Sequence, residues 1–383
     1  MSKSQSEMGN LSEEEISGSL SCPDVITKYH TGAEILNSTL QHIIQECKPE
    51  ADISLLCRTG DMLIEEKTSN VYNKKENGKR IDKGIAFPTC ISVNEICGNY
   101  SPIEGESMKL KSGDLVKIDM GVHIDGYICV VTHTIVIDTD NITGKKADVL
   151  KAAYVALEAA IRTMKPGNTN TQVTSVMNSV VREFGCSMIQ GVLSHQLKQH
   201  IIDGNKVIIS HETLDEKVDE FEFEVNEVYG LDVIVSSGDG KTRESDYRTT
   251  VYKRAIETNY NLKSPISRQF LAEVNRRFPT LPFSLNMISD QKVARLGILE
   301  CLRHNLLYPY PVIVEKSGGF VAAFKCTILI LPSGVKRITG LPFSQESICE
   351  TEYKVINEDL RALLATSLSL KKKKKKPKQP SQE

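Results

Sequence analysis

One stretch of the chain constrains the fold more than any other. From Leu115 to Ile124 apolar side chains alternate with polar or small ones, which is the two-residue period of a β-strand. The pair Asp125-Gly126 follows, and an Asp-Gly pair between two such runs indicates a tight hairpin turn. Residues 127–137 then form the return strand. Any fold for this chain must therefore contain antiparallel sheet.

Helices surround this hairpin in the sequence. Apolar residues recur at helical spacing over residues 25–46, and a second helix is predicted to start after Asp52, whose carboxylate suits a helix N-cap. Pro166-Gly167 and Gly185 end two further predicted helices, at about 145–164 and 171–184. More strands are predicted at residues 222–236, 249–252, 310–315 and 321–331. The mixture predicts an α+β fold.

The net charge of −2 conceals an uneven distribution. Residues 1–370 hold 40 basic against 48 acidic side chains, whereas residues 371–378 read KKKKKKPK. Between Lys253 and Arg303, nine basic residues outnumber four acidic ones, and this interval is predicted to be mostly helical. The chain is thus an acidic body with two basic regions, which are candidate contacts for a polyanion.

Composition excludes several classes of protein. No run approaches the roughly 18 apolar residues of a membrane span, so we expect no membrane insertion. The first twenty residues are polar and acidic, so no secretory segment is predicted. The ten cysteines are scattered without a C-x-x-C pair, which is typical of reduced, buried thiols in a cytosolic or nuclear protein.

Five segments carry a stronger signal together than any of them does alone. They are KGIAFPT (83–89), DLVKIDMGVHIDGY (114–127), LSHQLKQH (193–200), YGLDVIVSSG (229–238) and FKCTILILPSG (324–334). In order and spacing they resemble the type 2 branch of the methionine aminopeptidase superfamily. The residues within these segments, together with the lysine tail, resemble most closely the proliferation-associated (ErbB-receptor-binding) proteins, which are non-catalytic relatives of those enzymes.

This resemblance covers about residues 25–342 and implies the pita-bread fold, in which two pseudo-symmetric α+β halves surround a curved central sheet. A basic helical insert falls at 253–307, where the type 2 branch carries one. We accordingly expect a disordered acidic N-terminus (1–22), an aminopeptidase-like domain (23–342), a terminal extension (343–370) and a disordered lysine-rich tail (371–383).

The resemblance also implies a site in which two Asp, one His and two Glu hold two divalent metals that activate a water. In this chain the first aspartate is Asp119, the histidine is His195, and one glutamate is replaced by Asp232. The second aspartate falls on Val130 and the bridging glutamate on Lys325. Valine has no lone pair and an ammonium repels cations, so we predict a non-catalytic protein without metal or other cofactor.

Magnitudes support this prediction. The ligand charge falls from −4 to −1, and a unit charge about 4 Å from a divalent ion costs about 8 kcal/mol at an effective dielectric of about 20. We therefore hypothesise that Lys325 replaces the metals by pairing with Asp119 and Asp232. Two substrate-contacting histidines of the family fall on Asn99 and on His200, which is retained.

Binding is the function that remains. Family members associate with ribosomal subunits near the nascent-chain exit, with ribosomal RNA and with messenger RNA, so the resemblance implies a role in ribosome biogenesis, translation and proliferation control. No RNP aromatic motif, KH loop or zinc knuckle is present, so backbone and shape recognition is expected. The expected contacts are Lys253, Arg254, Lys263, Arg268, Arg276, Arg277, Lys371, Lys372, Lys373, Lys374, Lys375 and Lys376.

Several alternatives stay open at this point. The lysine run suits a solvated end, a nuclear import signal or a polyphosphate contact. Leu360, Leu363 and Leu364 form an L-x-x-L-L pattern, which fits either a coregulator-docking helix or a helix packed on the body. An active metal-dependent methionine aminopeptidase, or an interaction scaffold and transcriptional coregulator without RNA contact, are the competing functions. A monomer in the cytoplasm, nucleus and nucleolus is expected.

Overall fold

The predicted hairpin lies within the largest sheet of a computed structural model, which describes residues 19–75, 78, 80–213 and 216–368. Its turn has positive φ at both Asp125 (56°) and Gly126 (76°), the geometry for which an Asp-Gly pair is suited. The helices are α1 (Pro23–Glu46), α2 (Ile53–Ser69), α3 (Gly144–Thr163), α4 (Asn170–Glu183), α5 (Pro265–Arg277), α6 (Gln291–Arg303) and α7 (Glu358–Leu364), with 3-10 turns at Leu285–Met287 and Glu346–Ile348.

The strands follow the predicted positions closely in the second half of the hairpin and at residues 321–331. They are β1 (Lys83–Val93), β2 (Ile96–Gly98), β3 (Leu115–Ile124), β4 (Tyr127–Val136), β5 (Ser187–Met188), β6 (Leu193–Gln196), β7 (Val207–Ile209), β8 (Val228–Ser236), β9 (Thr242–Glu244), β10 (Val251–Arg254), β11 (Phe283–Ser284), β12 (Leu307–Tyr310), β13 (Ile313–Glu315), β14 (Val321–Leu331) and β15 (Gly334–Arg337).

Two halves meet along the middle of this sheet. Its strand order is β1-β3-β4-β14-β8-β6-β7, with β15 on β14 and β5 on β8. Helices α1 and α2 pack on β1, β3 and β4, whereas α3 packs on β8 and β14 and is covered by α4. Each half has its own apolar core, around Leu36 and Ile118 in one and around Leu150 and Val233 in the other. The expected α+β architecture of two halves is confirmed.

Local signals explain where the helices begin. The Asp52 carboxylate accepts a hydrogen bond from the Leu55 N–H at 3.0 Å, which confirms the predicted cap of α2. Helix α4 starts with a capping box, in which Thr169 and Gln172 each bond the other's backbone N–H. These caps satisfy amide groups that the first helical turn leaves unpaired.

Three strand predictions need correction. Strand β1 was not predicted, because Pro88 and two register shifts interrupt its alternation. The strand expected from residue 222 starts only at Val228, since Asn226 adopts a left-handed φ of 72°. The strand expected at 310–315 is two strands of different sheets, β12 paired with β10 and β13 paired with β2 and β9.

Residues 251–310 form a smaller unit. Strands β10, β11 and β12 make a three-stranded sheet, against which α5 and α6 pack around Phe270, Phe283 and Ile298. The two helices approach closely at Gly297, where a Cβ atom would lie 2.5 Å from the Phe270 Cβ. Helix α6 is therefore held firmly on α5.

The terminal helix α7 packs on the body. Leu360 is buried in the second core, and Leu363 and Leu364 pack against the same core. The Glu183 carboxylate also accepts hydrogen bonds from the N–H groups of Ile356 and Asn357, just before α7. The structure thus contradicts a free L-x-x-L-L docking face, because the leucines of the pattern already contact the protein itself. Among the described residues, no helix combines the length and hydropathy that a membrane crossing demands.

Candidate functional site

The residues of the expected metal site lie in one row across the middle of the large sheet. Asp119 on β3 is paired in register with Thr132 on β4, Thr132 with Lys325 on β14, and Lys325 with Asp232 on β8. Directly paired residues on neighbouring strands point to the same face and lie about 5 Å apart. The register alone therefore brings side chains from 119, 232 and 325 together.

The Lys325 ammonium occupies the centre of this row. Its Nζ lies 2.9 Å from Asp119 Oδ2 and 2.9 Å from Asp232 Oδ2. The three side chains are only 18%, 15% and 13% exposed. The hypothesis that Lys325 bridges the two surviving carboxylates is confirmed. Each carboxylate keeps a second oxygen, Oδ1, that is buried and has no hydrogen-bond partner within the described structure.

Electrostatics hold the lysine protonated. Burial disfavours its charge, but the Asp119 and Asp232 carboxylates outweigh that effect and raise the pKa of Lys325 well above its ordinary value. Burial raises the pKa of Asp232, while Lys325 opposes the rise. Lys325 is therefore an ammonium at neutral pH and lies at hydrogen-bonding distance from both carboxylates.

A cavity of about 300 Å³ remains above this row. Apolar side chains such as Phe87, Val130 and Tyr310 form much of its wall, and the Lys325 Nζ lies 5.6 Å from the centre of the Phe87 ring. His195 also lines the cavity, and its Nδ1 is 3.2 Å from the Gly204 carbonyl oxygen. Burial lowers the pKa of His195, so the imidazole is neutral at neutral pH.

The two positions expected to contact substrate separate in the structure. Asn99 lines the cavity in a left-handed conformation and donates from Nδ2 to the Pro311 carbonyl at 3.0 Å. His200 does not line the cavity: its backbone N–H donates to the Gly126 carbonyl at 2.8 Å and its ring covers the hairpin turn. Placing His200 at the site was therefore wrong, because the hairpin turn holds it elsewhere.

Two metal ions do not fit these residues. Metal ions need electron-pair donors, whereas the ammonium of Lys325 presents only N–H groups and Val130 presents methyl groups. Among the residues that the structure describes, no group of three or more His, Cys, Asp or Glu side chains is arranged to hold a metal. These residues therefore do not support a metal-dependent step.

Comparison with known proteins agrees with this geometry. Residues 28–238 match metallopeptidase family M24. The chain is 46% identical to an ErbB-3 binding protein 1 of Arabidopsis thaliana over 93% of this chain and 89% of that protein. This protein belongs to family M24, among the ErbB-3 binding and proliferation-associated proteins. A further relative, the curved DNA-binding protein of Schizosaccharomyces pombe, is 39% identical over 97% of each chain.

Two solved structures resemble the fold of this M24 protein to different degrees. A structure of a thermophilic Arx1 is 32% identical, with a TM-score of 0.85 over 91% of this chain and all of that one. A methionine aminopeptidase from Thermotoga maritima gives a TM-score of 0.56 at 16% identity, over 84% and 98% of the two chains, and shows the fold alone. The pita-bread fold expected from the sequence is thereby confirmed.

The basic residues expected to bind RNA do not form one patch in this M24 protein. Arg254 is 7% exposed, and its guanidinium donates to the carbonyls of Ala255, Leu306 and Thr258. The expectation that Arg254 is exposed was therefore wrong, because its guanidinium is buried against backbone carbonyls of the smaller unit. Lys253 is engaged too, with its Nζ 2.5 Å from Asp203 Oδ2.

Three other arginines differ in their freedom. Arg277 is ion-paired with Glu273 on its own helix at 3.0 Å and with Glu65 on α2 at 3.4 Å, so it joins the smaller unit to the body. Arg268 is exposed, although one of its nitrogens donates to the Leu262 and Lys263 carbonyls. Arg276 is exposed, and in the part of the chain that the structure describes no carboxylate lies within 4 Å of it.

Lys263 is likewise exposed without a carboxylate partner in that part. The outer face of α5 therefore offers Arg268 and Arg276 to a ligand, with Lys263 just before the helix. The six tail lysines, from Lys371 to Lys376, lie outside the described residues.

Sequence reasoning missed Lys117, which also lines the cavity. It is 2% exposed, and its Nζ donates to the carbonyls of Asn94 and Val321, both at 2.8 Å. Burial lowers the pKa of Lys117 to about 7. Strand alternation contained the signal, since residues 117 and 119 share one face of β3. The depth of the position was not visible from the sequence.

Proposed function

We propose that this protein is a non-catalytic aminopeptidase-fold protein that binds ribosomes and RNA and acts in ribosome biogenesis, translation and growth control. The observation that supports the loss of catalysis is the Lys325 ammonium, which lies 2.9 Å from both surviving carboxylates. It occupies the position where cations would have to bind. We place the protein in the cytoplasm and in the nucleus, including the nucleolus.

Exposed cations on α5 support the binding part of the proposal. Arg268 and Arg276 present guanidinium groups, which suit the phosphate oxygens of a nucleic-acid backbone. The name of the Schizosaccharomyces pombe relative describes binding to DNA, which presents the same kind of anionic backbone. The six lysines at 371–376 add a second group of positive charges, about 95 residues after α5 in the sequence. Recognition of backbone and shape follows from this chemistry.

A peptidase assay with metal analysis tests the catalytic part. Purified protein is incubated with Met-initiated peptides in the presence of added Co²⁺ or Mn²⁺, and bound metal is measured by mass spectrometry. No turnover and substoichiometric metal are expected. Turnover that His195→Ala abolishes would overturn the proposal, because His195 is the retained imidazole of the family's ligand set.

Sedimentation through sucrose gradients at low and high salt tests the binding part. Co-migration with ribosomal particles is expected at low salt and is expected to weaken steeply as salt rises, since displaced counterions drive phosphate binding. The double change Arg268→Glu/Arg276→Glu should reduce co-migration at least tenfold. Lys48→Glu/Lys111→Glu on the body is the matched control and should retain it.

Deletion of residues 371–383 separates the tail from α5. Loss of co-migration on this deletion alone, with Arg268→Glu/Arg276→Glu unaffected, would assign the contact to the tail and reject the α5 face. Absence of co-migration by the unaltered protein at low salt would favour the scaffold alternative instead.

A further inference from the structure

The outer face of α6 breaks the amphipathic pattern that the neighbouring helix α5 follows. Leu296 and Leu299 are 46% and 53% exposed, and neither belongs to the apolar core of that unit. A surface helix of a soluble protein normally places leucines toward the core. On α5, by contrast, the exposed positions are polar or small, including Gln269 and Ala272.

The leucines are fixed in this outward position. The opposite face of α6, which contains Ala294, Gly297 and Ile298, is buried against α5. The close approach of Gly297 to Phe270 leaves no room for the helix to rotate its leucines inward. Their exposure therefore reflects where the buried face of the helix lies, and not loose packing.

A groove runs beside these leucines. It is an open depression of about 470 Å³, lined by apolar, polar and charged side chains that include Tyr260, Lys263, Leu296, Leu299 and Arg303. Tyr260 is stacked on His304, with ring centres 3.5 Å apart, which gives the groove a flat aromatic wall. The surface thus places two exposed leucines and an aromatic ring beside charged side chains, a combination on which an amphipathic helix can dock.

Basic side chains lie in and beside the groove: Lys263 and Arg303 line it, and Lys292 and Arg295 lie one helical turn before Leu296 and Leu299 on α6. Lys263, Lys292, Arg295 and Arg303 are exposed, and none has a carboxylate within 4 Å in the described structure. Glu300 is the acidic residue of the groove, and its carboxylate already accepts the N–H groups of Lys263 and Ser264 at 2.7 and 3.0 Å. The four positive charges of this basic rim are therefore available to pair with carboxylates of another molecule.

We propose that this groove on α6 binds an acidic amphipathic helix of a partner protein, with apolar side chains of that helix on Leu296 and Leu299 and its carboxylates on the basic rim. Apolar anchors at helical spacing bury the leucines, and complementary charge steers and orients the complex. A nucleic-acid backbone would satisfy the rim but leave the leucines in water. A second copy of this chain, packed face to face, would bring two positive rims together. The proposal does not depend on ribosome binding.

The test uses the full chain and a defined probe library. The probes are fluorescent 16-residue helical peptides with Glu on one face and Leu, Ile, Met or Phe at positions i, i+3, i+4 and i+7 of the other. Shuffled peptides of equal composition and an RNA hairpin accompany them. Binding is measured by anisotropy at 50 and 300 mM NaCl.

Patterned peptides are expected to bind at least tenfold more tightly than shuffled ones. Leu296→Ser/Leu299→Ser should remove that difference, and Arg295→Gln/Arg303→Gln should weaken binding mainly at low salt. Leu55→Ser/Met62→Ser, which alters two apolar residues of α2 that are more exposed than the α6 leucines, should change nothing. Since all these side chains are exposed, the variants should fold, and unchanged circular dichroism checks this.

Three outcomes would overturn the proposal. Equal binding of patterned and shuffled peptides would reduce the surface to a charge patch. RNA binding that Arg295→Gln/Arg303→Gln abolishes, without any effect of the leucine variant on either ligand, would make the face a nucleic-acid surface. Peptide affinity that rises at least tenfold when residues 1–18 are deleted would identify the chain's own acidic N-terminal segment as the occupant.

Discussion

Lys325 and Arg276 are both cations on regular secondary structure, but their surroundings are opposite. Lys325 lies in the middle of the large sheet, is 18% exposed and contacts two carboxylates. Arg276 lies on the outer face of α5, is exposed and has no carboxylate partner within the described residues. The first charge is needed to neutralise the protein's own groups. The second has no such role, so the comparison separates a cation paired within the protein from one that is exposed and left without a carboxylate partner there.

Restoring the ligands should produce the largest effect. Val130→Asp/Lys325→Glu adds two carboxylates and removes the ammonium, which returns the ligand charge from −1 to −4 and gives divalent ions a bridging donor. Isothermal titration with Mn²⁺ or Co²⁺ should show an affinity at least a thousandfold above that of the unaltered protein. Val130→Asp alone is the control and should bind no better, because Lys325 remains. Tight binding by that single variant would contradict the role assigned to Lys325.

Removing the buried cation should reduce stability markedly. Lys325→Met leaves two facing carboxylates without a partner, and breaking a buried pair in this way costs about 3–5 kcal/mol. Urea unfolding at pH 7 measures the loss. The loss should shrink toward pH 4, since burial raises the pKa of Asp232 and protonation of that carboxylate relieves the repulsion. Arg276→Met, at the exposed position, should stay within about 0.5 kcal/mol. Equal effects of the two changes would break the comparison.

A buried histidine on β4 of the same sheet should make stability depend on pH. His133 is 1% exposed, its ring meets the edge of Phe324, and burial lowers its pKa from 6.5 to about 4. The unfolded chain therefore binds a proton more readily, so stability is complete above pH 6.5 and falls as pH drops toward 4. From pH 7 to pH 5 the loss from this group is about 2 kcal/mol. His133→Met should remove that part of the slope, and an unchanged slope would exclude His133 as its source.

Replacing the exposed Arg276 should change stability least of all and yet change RNA binding clearly. Arg276→Gln should leave the unfolding free energy within about 0.5 kcal/mol, because an exposed side chain without an ion pair contributes little to folding. Losing one phosphate contact should reduce the slope of log affinity against log salt by about 0.7–0.9 in an RNA-binding titration. Arg277→Gln is a useful contrast, since that side chain is tied to Glu65 and Glu273. A slope that only Arg277→Gln changes would remove Arg276 from the binding face.

Much of the fold could be predicted because its signals are local. The alternation of residues 115–124 and the Asp-Gly turn specify the hairpin, and Asp52 specifies the start of α2. Where a strand lacks alternation, as in β1 with its register shifts, the local signal fails. The predicted strand at 310–315 failed for another reason: Pro311 ends one sheet contact, and the next residues join a different sheet.

The candidate site was predictable only in part. The family resemblance assigned Val130 and Lys325 to positions where carboxylates are expected. Their residue types then gave the consequence, because a methyl group and an ammonium cannot donate an electron pair to a metal. His200 could not be placed, since its position depends on a contact with Gly126, 74 residues earlier in the chain. The exposure of Leu296 and Leu299 could not be predicted, because apolar residues in a helix are expected to face a core.

Local patterns and residue types were enough to set the chemistry available to this protein: which strands and helices are possible, where positive charge accumulates and, given the family resemblance, which of the family's metal ligands are missing. Only the tertiary structure decided how those groups are used. The pairing of β3, β4, β14 and β8 sets Lys325 between Asp119 and Asp232, and the packing of the smaller unit buries Arg254 while leaving Arg276 exposed. The physical reason is that burial and ion pairing depend on contacts between residues far apart in the chain, which no local pattern encodes.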